Sequence, residues 1–103
     1  MPIFQTATYS VNASGVDDVK AAITEFVDYV RANEPGTLLY QAWQQRDDPT
    51  FLLHLFIFAD ASAQRIHSES EAVRRFESIY TPELVGGDVV FTDYDLVARS
   101  DAR

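Results

Sequence analysis

Phe51-Leu52-Leu53-His54-Leu55-Phe56-Ile57-Phe58 is an apolar run interrupted by a single imidazole. It is of strand length, with the polar turn Arg46-Asp47-Asp48-Pro49 before it and Asp60 after it. A strand with one face in water alternates apolar and polar side chains. This run does not, so both of its faces are predicted to be covered.

Working outward, residues 37–45 supply a neighbouring strand with Leu38 and Tyr40 on one face and Leu39 and Trp43 on the other. Upstream, apolar residues recur at Val19, Ala22, Ile23, Phe26, Val27 and Val30, the spacing of one helix face. Ser14 followed by Asp17 reads as a capping-box-like start. The helix is predicted to stop near Asn33, because Glu34 precedes Pro35 and is pushed out of the helical region, while Gly36 allows a turn. Residues 3–11 alternate as a first strand, with Ile3, Ala7, Tyr9 and Val11 on one face.

Beyond the central run, Asp60 can cap a helical stretch that Pro82 limits. Its apolar residues are Ile66, Val73, Phe76, Ile79 and Tyr80, and Ser68–Ser70 divides it into two pieces. After Gly86-Gly87, residues 88–98 alternate again, with Val90, Thr92, Tyr94, Leu96 and Ala98 on one face. The order is β-α-β-β-α-β, an α+β, ferredoxin-like split β-α-β with one antiparallel sheet and its helices on a single face. No repeat and no linker interrupts it, so the chain reads as one domain over residues 1–103. The sheet's second face needs cover, and a second copy of the chain is the simplest, so a homodimer is predicted.

The 103 residues carry 16 acidic and 8 basic side chains, a formal charge of −8, with no basic stripe to neutralise phosphates. Nucleic-acid binding is not expected. Without cysteine there is no disulfide, thiolate nucleophile, iron–sulfur cluster or cysteine-based zinc site. No apolar run approaches the roughly 20 residues that span a bilayer, and Met1-Pro2-Ile3-Phe4 lacks a signal-peptide pattern, so no membrane association and a cytoplasmic location are expected. No His-Glu-x-x-His metal motif, Gly-rich phosphate loop or nucleophile elbow occurs.

The stretches Asn33-Glu34-Pro35-Gly36-Thr37-Leu38-Leu39-Tyr40, Asp60 through His67-Ser68-Glu69-Ser70, and Arg75-Phe76 together resemble the antibiotic biosynthesis monooxygenase family across nearly the whole chain. That family carries Glu-Pro-Gly followed by a tyrosine after its first helix and a His-x-x-Ser stretch in its second helical region. The resemblance implies a dimeric α+β barrel, a pocket between helices and sheet in each subunit, and oxygenation of quinol-like or polycyclic aromatic molecules by molecular oxygen without metal, flavin or haem. Other members isomerise small molecules, degrade haem or have no known activity, so fold alone does not define the reaction. Two positions depart from the family. Phe56 stands where many members place a third-strand glutamate, and Glu77 stands where the haem-degrading branch needs an axial histidine.

Cofactor-free oxygenation needs a base that turns a phenol into an electron-rich anion. Imidazole suits that task near neutral pH, and the chain has two, His67 and His54. His67 matches the family's histidine and is the first candidate for base or substrate anchor, against a capping or surface role. His54 lies in the apolar run, where burial favours its neutral form, and is the second candidate, against a core or interface role. Tyr40, Trp43, Tyr9, Phe56, Phe76 and Tyr80 are candidates to line a pocket for a flat ring, against plain core packing. Asn33 is a candidate donor to a ligand carbonyl, against a helix C-terminal role. The leading expectation is a cofactor-independent monooxygenase of a small aromatic molecule; the alternatives are an isomerase, or a non-catalytic ligand-binding or stress-response dimer.

Overall fold

The central run is β3, Phe51–Phe58, and it pairs antiparallel on both edges. In the computed structural model, which describes residues 1–101, the other elements are β1 (Ile3–Val11), α1 (Val16–Asn33), β2 (Thr37–Gln44), α2 (Ala61–Ser68), α3 (Glu71–Tyr80) and β4 (Leu84–Tyr94). The strands form one antiparallel sheet in the order β2-β3-β1-β4. This is the α+β, ferredoxin-like split β-α-β arrangement. The helices cover one face: Val19, Ala22, Ile23, Phe26 and Val30 of α1 pack with Phe76 and Tyr80 of α3 on Tyr9, Val11 and Leu52 of the sheet.

Alternation along β3 is strict in burial though not in polarity. Leu52, His54, Phe56 and Phe58 are buried beneath the helices, whereas Phe51, Leu53, Leu55 and Ile57 on the other face are only half-buried. The expectation of two covered faces therefore holds within one chain for one face alone.

Local chemistry sets the boundaries near the site. The Asp60 side chain accepts from the Ala63 backbone N–H at 2.9 Å and starts α2. Ser70 accepts from Val73 N–H at 3.0 Å and starts α3, so the helical stretch divides at Ser68–Ser70 as predicted. At the end of α1, Glu34 N–H closes on Val30 O at 2.9 Å, and Thr37 N–H on Glu34 O at 3.1 Å. Gly36 is needed there for a close approach: a Cβ on it would lie 2.6 Å from the Ala63 Cβ. The missing side chain lets α2 settle against the start of β2.

Four details differ from the sequence reading. Ser14 falls in a 3-10 turn, Ala13–Gly15, and α1 begins without a side-chain cap. A bulge between Thr37 and Leu39 adds one residue, so Leu38 is 58% exposed and does not share the buried face with Tyr40. Ile66 is exposed, because the short α2 turns only Ala63 and His67 inward. β4 starts before the glycines and ends at Tyr94, leaving Leu96 and Ala98 beyond it; Gly86 and Gly87, with φ of 82° and 124°, sit where its register against β1 shifts.

Candidate functional site

The register of the sheet puts small residues on both sides of His54: Ala7 of β1 and Ala42 of β2. Larger side chains there would fill the space above the imidazole. Instead it opens as a cavity of about 450 Å³ between the sheet and the helices, with His54, His67, Tyr9, Tyr40, Phe56, Phe76 and Tyr80 in its wall. The wall is mainly aromatic, with a few polar groups, the composition expected of a small-molecule site. Among the described residues, no three His, Cys, Asp or Glu side chains gather as a metal site would require.

His54 is 2% exposed and both ring nitrogens are engaged: Tyr9 Oη lies 2.7 Å from Nε2 and Tyr40 Oη lies 2.8 Å from Nδ1. Burial, reinforced by His67, holds the His54 imidazole down at about 4, so it is neutral at physiological pH. Burial likewise keeps the Tyr9 and Tyr40 phenols above the ordinary tyrosine range, Tyr80 adding to the effect at Tyr9 and, with Tyr9, at Tyr40, and it pushes Tyr80 up to about 12 with Glu77 assisting. All three phenols keep their protons. Tyr9 also stacks on Tyr80 at 5.3 Å between centroids, and Tyr40 on Phe56 at 4.6 Å.

His67 is placed by α2 and is 6% exposed. Its Nδ1 lies 2.8 Å from Glu34 Oε1, which also accepts from Thr37 Oγ1 at 2.9 Å. With Nδ1–H donating to the carboxylate, Nε2 carries the lone pair; it makes no protein hydrogen bond and is not among the sealed polar atoms. The ring sits within a cage of Phe26, Phe56 and Phe58, with centroids 5.2, 5.0 and 5.2 Å away. The second Glu34 oxygen, Oε2, is buried without a partner among the described residues.

Two predicted residues lie elsewhere. Trp43 opposes Leu53 on the sheet face away from the helices and is 54% exposed. Tyr40 and Ala42 face the helices opposite Phe56 and His54, so strand alternation sends Trp43 outward, as its placement with Leu39 on the other face implied. Asn33 is exposed, and its Nδ2 donates to Tyr29 O at 2.9 Å, the helix-terminal role. Glu34, read from the sequence as the residue before Pro35 and as part of the Glu-Pro-Gly stretch, was not a site candidate; that stretch is its only sequence signal, and its carboxylate is buried by the contact with His67 and Thr37. Phe26, read from the sequence as part of the apolar face of α1, also lines the cavity, as do Gln64, Arg65 and Phe91, which lacked any local signal.

The model of the family described as antibiotic biosynthesis monooxygenase matches residues 2–78. No curated protein matches the sequence. Among solved structures, a candidate antibiotic biosynthesis monooxygenase from Bacteroides thetaiotaomicron superposes with a TM-score of 0.87 at 15% identity, covering 96% of this chain and 92% of its own. A counterpart from Caulobacter crescentus gives 0.86 at 23% identity, covering 94% and 91%. A Mycobacterium tuberculosis protein gives 0.84 at 15% identity, covering 97% and 99%. At these identities the likeness establishes the fold.

Proposed function

The chain belongs to the antibiotic biosynthesis monooxygenase family, and on that premise we propose that it is a cofactor-independent monooxygenase of a quinol-like or polycyclic aromatic small molecule, acting as a cytoplasmic homodimer with one domain per chain. The observation that carries this reading is the His67–Glu34 pair: His67 lines an aromatic cavity, and its Nε2 has no hydrogen-bond partner among the described residues. The aromatic wall binds a flat ring by stacking and edge contacts. His67 Nε2 then accepts the proton of the ring hydroxyl, and Glu34, 2.8 Å from Nδ1, stabilises the imidazolium that forms.

The anion so produced is a reductant for molecular oxygen. One electron passes from the phenolate to oxygen, the aryloxyl radical and superoxide combine at the ring carbon para to the oxygen, and the peroxide loses water to leave a quinone. One oxygen atom enters the product and the other leaves as water, together with the hydroxyl proton and the hydrogen of the attacked carbon. His54 does not serve as the base, since both its nitrogens are occupied and its basicity is depressed by burial.

The dimer is supported by the sheet face away from the helices. Its half-buried Leu53, Leu55 and Ile57 and its exposed Leu38, Trp43 and Val90 form an apolar surface that a second sheet would cover. None of the described helices is long and apolar enough to cross a membrane.

The test is oxygen uptake by metal-free protein with a panel of naphthols and anthrones, whose para carbon carries a hydrogen, for wild type and His67→Ala. Uptake above background that is lost in the variant supports the reading. No uptake with any compound moves the assignment to ligand binding or isomerisation, and undiminished uptake by the variant removes His67 from the mechanism.

A further inference from the structure

Tyr9, His54 and Tyr40 form a hydrogen-bonded chain whose oxygens and nitrogens the mechanism above does not use. A neutral imidazole has one N–H and one lone pair. With a phenol 2.7 Å from Nε2 and another 2.8 Å from Nδ1, one hydroxyl must donate to the ring and the other must accept from it. The chain therefore has a direction. At one end a phenol has given its hydrogen to His54 and has only lone pairs left; at the other a phenol oxygen receives the imidazole N–H and has its own O–H left over.

Neither phenol has a second hydrogen-bond partner among the described residues, and both belong to the wall of the cavity. The leftover donor and the leftover acceptor consequently have only a cavity occupant to meet. Exchanging the two ends without creating charge takes three hydrogen transfers, one across each O–H···N and N–H···O link and a third from the leftover O–H to the stripped phenol oxygen through a cavity occupant that accepts one hydrogen and gives up another. Within the protein, the histidine tautomer is then the only thing that changes. The alanines flanking His54, Ala7 and Ala42, leave the chain uncovered by side chains of the adjacent strands.

We infer that Tyr9–His54–Tyr40 is a reversible hydrogen-bond reader at the floor of the cavity, selecting ligands that carry one hydrogen-bond donor oxygen and one acceptor oxygen. It rests on the cavity being a ligand site, as proposed above, and is independent of oxygen chemistry. Tyr9 and Tyr40 are specificity-determining residues in this arrangement, and His54 is a positioning residue that couples them. The coupling has a particular consequence: losing either hydroxyl removes the paired readout, because the remaining phenol can offer a donor or an acceptor but no longer both ends of one chain.

The experiment is calorimetric binding without oxygen, at neutral pH or slightly below, with three probes of the same two-ring size. 6-Hydroxy-1-tetralone has a donor and an acceptor, 6-methoxy-1-tetralone lacks the donor, and 5,6,7,8-tetrahydro-2-naphthol lacks the carbonyl. Wild type is expected to bind the hydroxy-ketone about tenfold more tightly than either analogue, the scale of one well-made hydrogen bond. In Tyr9→Phe and in Tyr40→Phe that preference is expected to shrink to about twofold or less, with ring burial and so analogue binding retained. Wild type binding all three alike overturns the inference while leaving the oxygenase reading standing, and this comparison holds even if a variant does not fold. Undiminished preference in both single variants also overturns it. Wild type binding none of the probes overturns this inference and the cavity assignment together.

Discussion

His67 Nδ1 and Glu34 Oε1 meet at 2.8 Å although 33 positions separate them in the sequence. The pair joins the end of α1 to α2 and orients the imidazole, so it bears on stability and on chemistry at once. Glu34→Gln retains an oxygen that can accept the Nδ1 proton but removes the charge that would stabilise the imidazolium. Turnover is expected to fall by roughly 10–100-fold with KM little changed; steady-state oxygen uptake checks it, and an unchanged kcat contradicts the role given to Glu34.

Gly36→Ala introduces a Cβ 2.6 Å from the Ala63 Cβ, forcing α2 away from β2. Destabilisation of about 1–3 kcal/mol is expected from such overpacking. Because α2 carries His67, the loss of turnover in the fraction still folded is expected to exceed that of a surface substitution of equal stability cost. Urea unfolding alongside kinetics would reveal whether the two effects separate.

His54 is depressed to about 4 in the folded chain from an ordinary 6.5. The unfolded chain therefore binds the extra proton throughout the interval between these values, and stability falls as pH drops through it. The full effect is on the order of 3 kcal/mol. Denaturation of wild type and His54→Gln between pH 7 and 4.5 isolates this contribution from that of the carboxylates: the wild-type curve should descend more steeply, and parallel curves would contradict the assignment.

Trp43→Glu places a charge on the apolar sheet face but outside the cavity. Sedimentation should show the dimer weakened to monomer at micromolar concentration, with the cavity's own lining untouched. A variant that stays dimeric would place the interface elsewhere.

The fold was legible because its signals are local and repeated. Period-two alternation in residues 3–11, the helical face from Val19 to Val30, the Pro35 stop and the Asp60 cap each follow from nearest-neighbour chemistry, and each has its structural counterpart. The cavity was only partly legible. Tyr9, Tyr40, His54 and Phe56 followed from strand phase, but one extra residue at Leu38 took that residue off the face of Tyr40, and Trp43, a candidate for its ring alone, lies by simple alternation on the face opposite Tyr40. A bulge of this kind has no composition of its own here. The Glu34–His67 contact has no local signal because it depends on α2 docking against Gly36, a contact between segments that no local pattern encodes. Likewise the Tyr9–His54–Tyr40 chain spans three strands and exists only once their register is set.

The central claim is that this cavity oxygenates an aromatic ring with molecular oxygen, using His67 to take the first proton. Turnover of anthrone or 1-naphthol under ¹⁸O-labelled dioxygen, followed by mass spectrometry of the quinone, tests it most directly. One labelled oxygen atom per quinone is expected from wild type, with the rate of formation at background in His67→Ala; quinone without label, or equal labelled product from the variant, rules out oxygenation by this site.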